Sequence, residues 1–351
     1  MSMQVSYKKQ ILFFTLLVFI VLLCVEGILR GYDYIFPACS FFDSEVFENF
    51  SNDLKYKICT DNSKLVWNDN PLRLIPNQHL EITNINNDGF RGNEIRNDVD
   101  YRIFMVGGST MFGVGASSDE TTIPGYLKKH LSSEQNKIEI INAGIPKAYS
   151  ISEIEYIENK LIHYNPDLII IYDGWNDLGK NFQEFNTSEE SSSNDFIRMI
   201  NRGDYLTPKI ILQHYFNWKN ENIAKNFDSR NIEEKSSLWV KNWINTCKNL
   251  NEKNIKVIII LQPILGTGNK ILSTEEEKYS YIYDSQNASK FYETYAEKLQ
   301  LLENYCYKTL DYRDAFDNYK NSIFYDGGHV GDLGNKIISD RIYQDIADII
   351  N

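Results

Sequence analysis

Four short motifs in this chain carry residues that could do chemistry together. They are Gly107-Gly108-Ser109-Thr110, Asn142-Ala143-Gly144, Gly174-Trp175-Asn176-Asp177 and Asp326-Gly327-Gly328-His329. A serine hydroxyl is a weak nucleophile unless a base stands beside it. His329 can take the Ser109 proton and later return it to a leaving alkoxide. Asp326, in the same turn as His329, can bond the other imidazole nitrogen and fix the tautomer. The Gly144 backbone N–H and the side-chain amide of Asn176 can stabilise a developing oxyanion. The set is complete for acyl transfer through an acyl-enzyme, with no cofactor and no metal called for.

Competing readings of the same residues fail on detail. Gly108 and Gly113 have phosphate-loop spacing, but Val114-Gly115 stands where Lys-Ser/Thr is needed. No Gly-x-Gly-x-x-Gly follows a strand. His79, His130, His163 and His214 belong to no motif, and a lone histidine is most often a surface or satisfied core group. Asp332 is a weaker candidate than Asp326 for orienting His329. Asp177 reads as a turn-stabilising side chain. No Cys-x-x-Cys and no histidine-rich cluster points to a metal.

The elements that must position these residues alternate between strand and helix. Short apolar runs predict strands at Arg102–Gly107, Lys137–Asn142, Asp167–Tyr172, Lys256–Leu261 and Thr309–Tyr312. Helical spacing marks Thr121–Leu131, Ile151–Tyr164 with Ser150 as its cap, Gln286–Tyr305 and Leu333–Ile350. Strands separated by helices imply a parallel sheet covered on both faces, a three-layer α/β/α architecture with five strands. Active residues then belong at the carboxyl ends of the strands. Ser109, Gly144 and Asn176 each follow a predicted strand, as that rule requires.

At Ser109, Gly144, Asn176 and His329, with Asp326 in an Asp-x-x-His position, the chain resembles the SGNH hydrolases, the GDSL-like esterase and lipase superfamily. The resemblance runs from about Asn87 to the C-terminus. Each block alone is weak, but four in order at these spacings are specific. It implies the flavodoxin-like SGNH fold, a Ser109–His329–Asp326 triad, and an oxyanion hole of Ser109 N–H, Gly144 N–H and the Asn176 amide. Many relatives carry a second glycine four positions after the one matched by Gly144; here Ala148 stands there. The stretch Asn87-Asp88-Gly89-Phe90-Arg91-Gly92 resembles one that precedes the first strand in membrane-anchored members. Arg91 either touches substrate or braces that stretch, and bracing is the usual role of a lone arginine.

Residues 1–10 read as a cytoplasmic tail and 11–29 as a transmembrane signal-anchor. The run from Ile11 to Leu29 gives 19 positions, interrupted by Thr15, Glu26 and Gly27. At ~1.5 Å per residue it spans roughly 28 Å, near the hydrocarbon thickness of a bilayer. The rival is a cleaved signal peptide, but no Ala-x-Ala site follows. Leu22-Leu23 before Cys24 is a poor lipoprotein context. Lys8 and Lys9 favour the cytoplasmic side, which places the remainder outside. Residues 30–100, rich in Asn, Asp and aromatics, read as a stem wrapping onto the domain of residues 101–351.

The chain has net charge −12, which disfavours a nucleic-acid partner. Residues 1–30 carry +2, leaving −14 for the rest and disfavouring polyanionic substrates. Outside the apolar run lie Cys39, Cys59, Cys247 and Cys306. In an oxidising compartment the expected pairs are Cys39–Cys59 and Cys247–Cys306, the alternative being four buried thiols. Three Asn-x-Ser/Thr sequons, at Asn49, Asn186 and Asn287, matter only where glycosylation machinery exists.

An insertion at 178–235 separates the third and fourth strands. It opens with a polar tract from Ser188 to Asn194 and continues with Ile210, Ile211, Leu212, Tyr215, Phe216 and Trp218. This stripe is either helix packing or the lining of an acyl or glycan pocket. Tyr215 and Trp218 beside Gln213, His214 and Asn217 suit sugar stacking better than a fatty tail. The expected activity is therefore a serine esterase removing short acyl groups, acetyl first, from an envelope carbohydrate. An O-acyltransferase with the same triad and a non-catalytic glycan-binding module are the alternatives.

Overall fold

The computed structural model describes residues 6–35, 43–131, 137–178, 232–282 and 285–350. The chain divides into two compact units: residues 1–40 with 187–227, and residues 41–186 with 228–351. In the first unit the described element is helix α1 (Tyr7–Ile35). An 18-residue window within its span Tyr7–Tyr32 has a mean hydropathy of 2.9, and the span is long and apolar enough to cross a membrane. Glu26 pairs with Arg30 one turn later, at 3.1 Å. The apolar stripe at 210–218 and the tract at 188–194 lie outside the described residues, as does Cys39.

The second unit holds a five-stranded parallel sheet. In chain order its leading elements are helix α2 (Asn52–Lys64), hairpin strands β1 (Trp67–Asp69) and β2 (Leu72–Leu74), and hairpin strands β3 (Gln78–His79) and β4 (Asn84–Ile85). Then come β5 (Tyr101–Gly107), α3 (Ser109–Phe112), α4 (Ile123–Leu131), β6 (Ile138–Gly144), α5 (Ser150–Asn159), β7 (Leu168–Asp173) and α6 (Trp175–Leu178). The rest are α7 (Ile232–Asn251), β8 (Lys256–Leu261), α8 (Thr274–Ile282), α9 (Ser285–Leu299), β9 (Lys308–Asp311) and α10 (Asp332–Ile350). The sheet order is β6-β5-β7-β8-β9, which counted from β5 is the 2-1-3-4-5 order of flavodoxin-like sheets.

Strands β5, β7 and β8 read as unbroken apolar runs because both of their faces are covered. Ile103 to Val106, Leu168 to Ile171 and Ile258 to Leu261 are all fully buried. Alternate residues feed opposite layers. Phe104, Val106, Ile169 and Ile259 pack with Trp239 and Trp243 of α7 and Tyr292 and Tyr295 of α9. Ile103, Met105, Ile170 and Ile258 pack with Leu127 of α4 and Ile338, Ile342 and Ile346 of α10. Each such side chain contributes roughly 1.5–3 kcal/mol by leaving water. Register aligns Gly107 with Gly144 on one side and with Tyr172 on the other. The carboxyl ends of three strands therefore meet.

Residues 41–100 of the stem belong to this second unit and contain a helix not anticipated from sequence. Helix α2 is polar, and burial falls on Ile58 and Asp61 alone. Ser51 caps it, accepting from the Leu54 N–H at 3.2 Å. Asp61 accepts the N–H groups of Glu81, Ile82 and Thr83, which tie helix to hairpin. The expected helix Gln286–Tyr305 is shorter, ending at Leu299 in a 3-10 turn, and α8 precedes it. Helix α5 starts at Ser150, so Tyr149 and not Ser150 is its cap. Cys247 of α7 is bonded to Cys306 before β9, with Cα atoms 5.0 Å apart.

Candidate active site

Ser109 is the first residue of α3, immediately after β5 and the Gly107-Gly108 turn. Helix α3 is only four residues long. A macrodipole needs a longer row of aligned peptides, so the anion-stabilising groups here are individual N–H donors. Gly108 allows a close approach: a Cβ on it would stand 2.5 Å from Asn176 Nδ2 and 3.2 Å from the Ala148 carbonyl oxygen. The turn that carries Ser109, the Asn176 amide and the loop after β6 thus converge on one point.

His329 lies 220 residues beyond Ser109 and reaches it through space, with Nε2 at 2.6 Å from Ser109 Oγ. On its other side Nδ1 is 2.7 Å from Asp326 Oδ2. Asp326 Oδ1 accepts the N–H groups of Gly328 at 2.9 Å and His329 at 2.8 Å. The carboxylate therefore holds the turn with one oxygen and the imidazole with the other. The Tyr325 N–H donates to the His329 carbonyl at 3.1 Å, and the Leu265 N–H to the Gly327 carbonyl at 3.0 Å, which fix the turn on both sides. The Tyr325 ring lies nearly parallel to the imidazole, centroids 5.7 Å apart at 13°.

Electrostatics within the pair follow from this geometry. Burial pushes the His329 imidazolium down, but the Asp326 charge and hydrogen bond more than offset it, and the group ends above its ordinary 6.5. Burial pushes the Asp326 carboxyl up, yet the His329 charge and its hydrogen bonds hold it below the usual range. The arrangement is that of a base readied for an imidazolium: a fixed carboxylate stabilises the charge that proton transfer creates.

The oxyanion donors implied by the resemblance separate here. Asn176 Nδ2 donates one hydrogen to the Ala148 carbonyl at 2.6 Å, and its second stays available. The Ser109 N–H lies at the start of α3. Gly144 does not fit the donor role, because its N–H donates to Asn142 Oδ1 at 3.0 Å. Its glycine serves packing: a Cβ there would lie 2.2 Å from the Phe112 backbone nitrogen, inside α3. Three residues on, Lys147 has φ 70°, a left-handed backbone uncommon for lysine, and its ammonium sits 5.2 Å from the Trp67 ring centre.

Other sequence candidates find structural work. The Arg91 guanidinium is buried: Nε donates to Asp119 Oδ1 at 2.7 Å, and Nη1 to the Phe112 and Gly113 carbonyls at 3.1 and 2.9 Å. It braces the stem against the end of α3. Asp332 accepts the Ser117 N–H at 2.9 Å and opens α10, leaving His329 to Asp326. Asp177 is buried and bonded to Ser150. The residues that sequence reading missed are Tyr325, adjacent to Asp326 in sequence, and the buried acid Glu153, whose proximity to Asp177 no spacing rule reveals. Among the described residues no cluster of histidine, cysteine and carboxylate could hold a metal ion.

No protein-family model matches the chain, and no curated protein matches it. Among solved structures it is similar to an acetyl xylan esterase, at 15% identity and TM-score 0.43, over 70% of this chain and 99% of that one. It is similar to a GDSL-like lipase from Bacteroides thetaiotaomicron at 16% identity and TM-score 0.40, over 71% of this chain and 88% of that one. A two-domain esterase active on acetylated mannans aligns at 12% identity and TM-score 0.41, over 71% of this chain and 49% of that one.

Proposed function

We propose that the chain is a serine esterase that removes short acyl groups, acetyl first, from a carbohydrate of the cell envelope. The observation that carries this reading is the unbroken relay Ser109 Oγ–His329 Nε2–Asp326, with both hydrogen bonds at 2.6–2.7 Å. As Ser109 Oγ attacks the acyl carbon, its proton passes to His329 Nε2. The oxyanion meets the Ser109 N–H and the free hydrogen of the Asn176 amide. His329 then protonates the departing alkoxide, leaving an acyl-serine. Water, deprotonated by the same imidazole, releases the acid and restores Ser109.

The apolar helix α1 and Lys8 and Lys9 before its core support a single-pass anchor with the enzyme outside the cytoplasm. That setting puts the site among envelope glycans.

A chain-length series of aryl esters tests the substrate class. Activity should fall steeply beyond about four acyl carbons, since each CH₂ that a site accepts would add ~0.8 kcal/mol of binding. A rise through eight carbons would overturn the short-acyl reading. The same series run with a carbohydrate acceptor reads out transfer: acyl sugar formed in place of free acid would identify an O-acyltransferase.

A further inference from the structure

Behind Asn176 lie three buried carboxyl groups that the triad does not use. Glu153 of α5, Asp173 at the end of β7 and Asp177 of α6 are 1%, 2% and 0% exposed. Asp177 Oδ2 accepts the Ser150 N–H at 3.0 Å, and Oδ1 accepts the Ser150 hydroxyl. One residue earlier, Asn176 Nδ2 donates to the Ala148 carbonyl at 2.6 Å. Two neighbouring side chains of one short helix therefore grip two ends of one three-residue segment. That segment abuts the nucleophile turn, because a Cβ on Gly108 would stand 3.2 Å from the Ala148 oxygen. A carboxamide is planar, so fixing one of its N–H bonds on Ala148 fixes the direction of the other. Displacing residues 148–150 turns the amide away from the point where the oxyanion forms.

We propose that Asp177 is a positioning residue: by clamping Ser150 it holds the Ala148 carbonyl in place and so aims the second N–H of Asn176 at the oxyanion. The proposal rests on the serine-esterase reading. Asp177 makes the clamp with both of its carboxyl oxygens. Burial and then the nearby Asp173 push its carboxyl well up. Glu153 is pushed up by burial and by both aspartates. The titratable and polar groups around the clamp are Tyr149 and Glu153 of the α5 end, Asp173 of β7, and Tyr292 and Tyr295 of α9. From α7, Trp239 donates to Asp173 at 2.8 Å and Lys235 to the Leu178 carbonyl at 3.3 Å. Asparagine has the same shape, keeps one oxygen to accept the Ser150 N–H and offers an amide N–H that the Ser150 hydroxyl oxygen can accept, so it should keep the grip; alanine cannot.

The test uses the full-length chain with a short aryl ester and an aryl phosphonate that reacts with the nucleophile. Asp177→Ala should lower kcat and the phosphonate rate by about ten- to a hundredfold with KM within about twofold, since an ångström of misplacement costs on that order. Asp177→Asn should return both to within about threefold of wild type. Should Asp177→Ala fail to fold, Ser150→Ala removes the hydroxyl half of the clamp and should show the same kcat loss in smaller measure. Full kcat in Asp177→Ala or in Ser150→Ala, a loss confined to KM, or an asparagine variant as slow as the alanine one overturns the clamp alone. A wild-type chain that neither hydrolyses the ester nor reacts with the phosphonate overturns the esterase reading, and the clamp with it.

Discussion

Replacing Asp326 by asparagine tests the relay at its most informative point. Asp326 Oδ1 accepts two backbone N–H groups and Oδ2 accepts the imidazole Nδ1–H. An asparagine oxygen can keep the two backbone bonds, so the turn stays folded. Its amide nitrogen then faces Nδ1 and donates where the carboxylate accepted. That bond stabilises the tautomer with hydrogen on Nε2, the atom 2.6 Å from Ser109 Oγ. A protonated Nε2 cannot take the serine proton. The expected loss in kcat is about 10³–10⁴, the size of a wrong-tautomer defect in a Ser-His-Asp triad. The pH profile adds an independent readout. The base must be neutral, and Asp326 holds His329 above its ordinary 6.5. Wild-type kcat/KM should therefore rise through an acidic limb above that value. In Asp326→Asn the charge that raised it is gone while burial remains, so the limb should move down. The assay is kcat/KM on a short aryl ester across pH 5–9, with thermal unfolding as the folding control. An asparagine variant that keeps a tenth of wild-type kcat, or an unmoved limb, would refute the role given to Asp326. His329→Ala should cost more than Asp326→Asn.

Two stability predictions follow from buried groups. Glu153 has both carboxyl oxygens buried without a hydrogen-bond partner among the described residues, and its folded pKa lies well above its ordinary 4.5. The folded chain keeps a proton that the unfolded chain gives up, so stability drains as pH rises above that ordinary value. Glu153→Gln cannot ionise, and its Tm relative to wild type should climb between pH 4 and pH 8; a constant difference would contradict this. The Cys247–Cys306 bond closes a loop with a sequence separation of 59, for which the chain-entropy account gives about 4 kcal/mol. The double variant Cys247→Ser/Cys306→Ser should unfold at clearly lower denaturant, and an unchanged midpoint would place the stabilisation elsewhere.

Much of the sheet is legible in the sequence because β5, β7 and β8 are buried on both faces and must be apolar throughout. The runs Arg102–Gly107 and Lys256–Leu261 announce themselves for that reason, within a residue of β5 and β8. Ser109, His329 and Asp326 are legible because a glycine turn after a strand and an Asp-x-x-His turn each satisfy a local demand. Helix α2 is not, since its stability comes from one cap and from Asp61 gripping a distant hairpin rather than from an apolar stripe. Gly144 illustrates the limit of motif reading. Its identity is set by the backbone of α3 packed over it, a tertiary fact that resembles a donor site from sequence alone. The acid cluster of Glu153, Asp173 and Asp177 joins residues of three elements, and only the register of β7 against its neighbours and the seating of α5 bring them together.

Ser109 is proposed as the nucleophile, with His329 as the base that activates it. An aryl phosphonate with a mass-spectrometric readout tests it most directly. Wild-type protein should carry one adduct, on the peptide containing Ser109. Ser109→Ala should carry none and lose ester hydrolysis while unfolding at the wild-type temperature, and His329→Ala should be labelled far more slowly. An adduct on another serine, or full hydrolysis by the folded Ser109→Ala protein, would contradict the account.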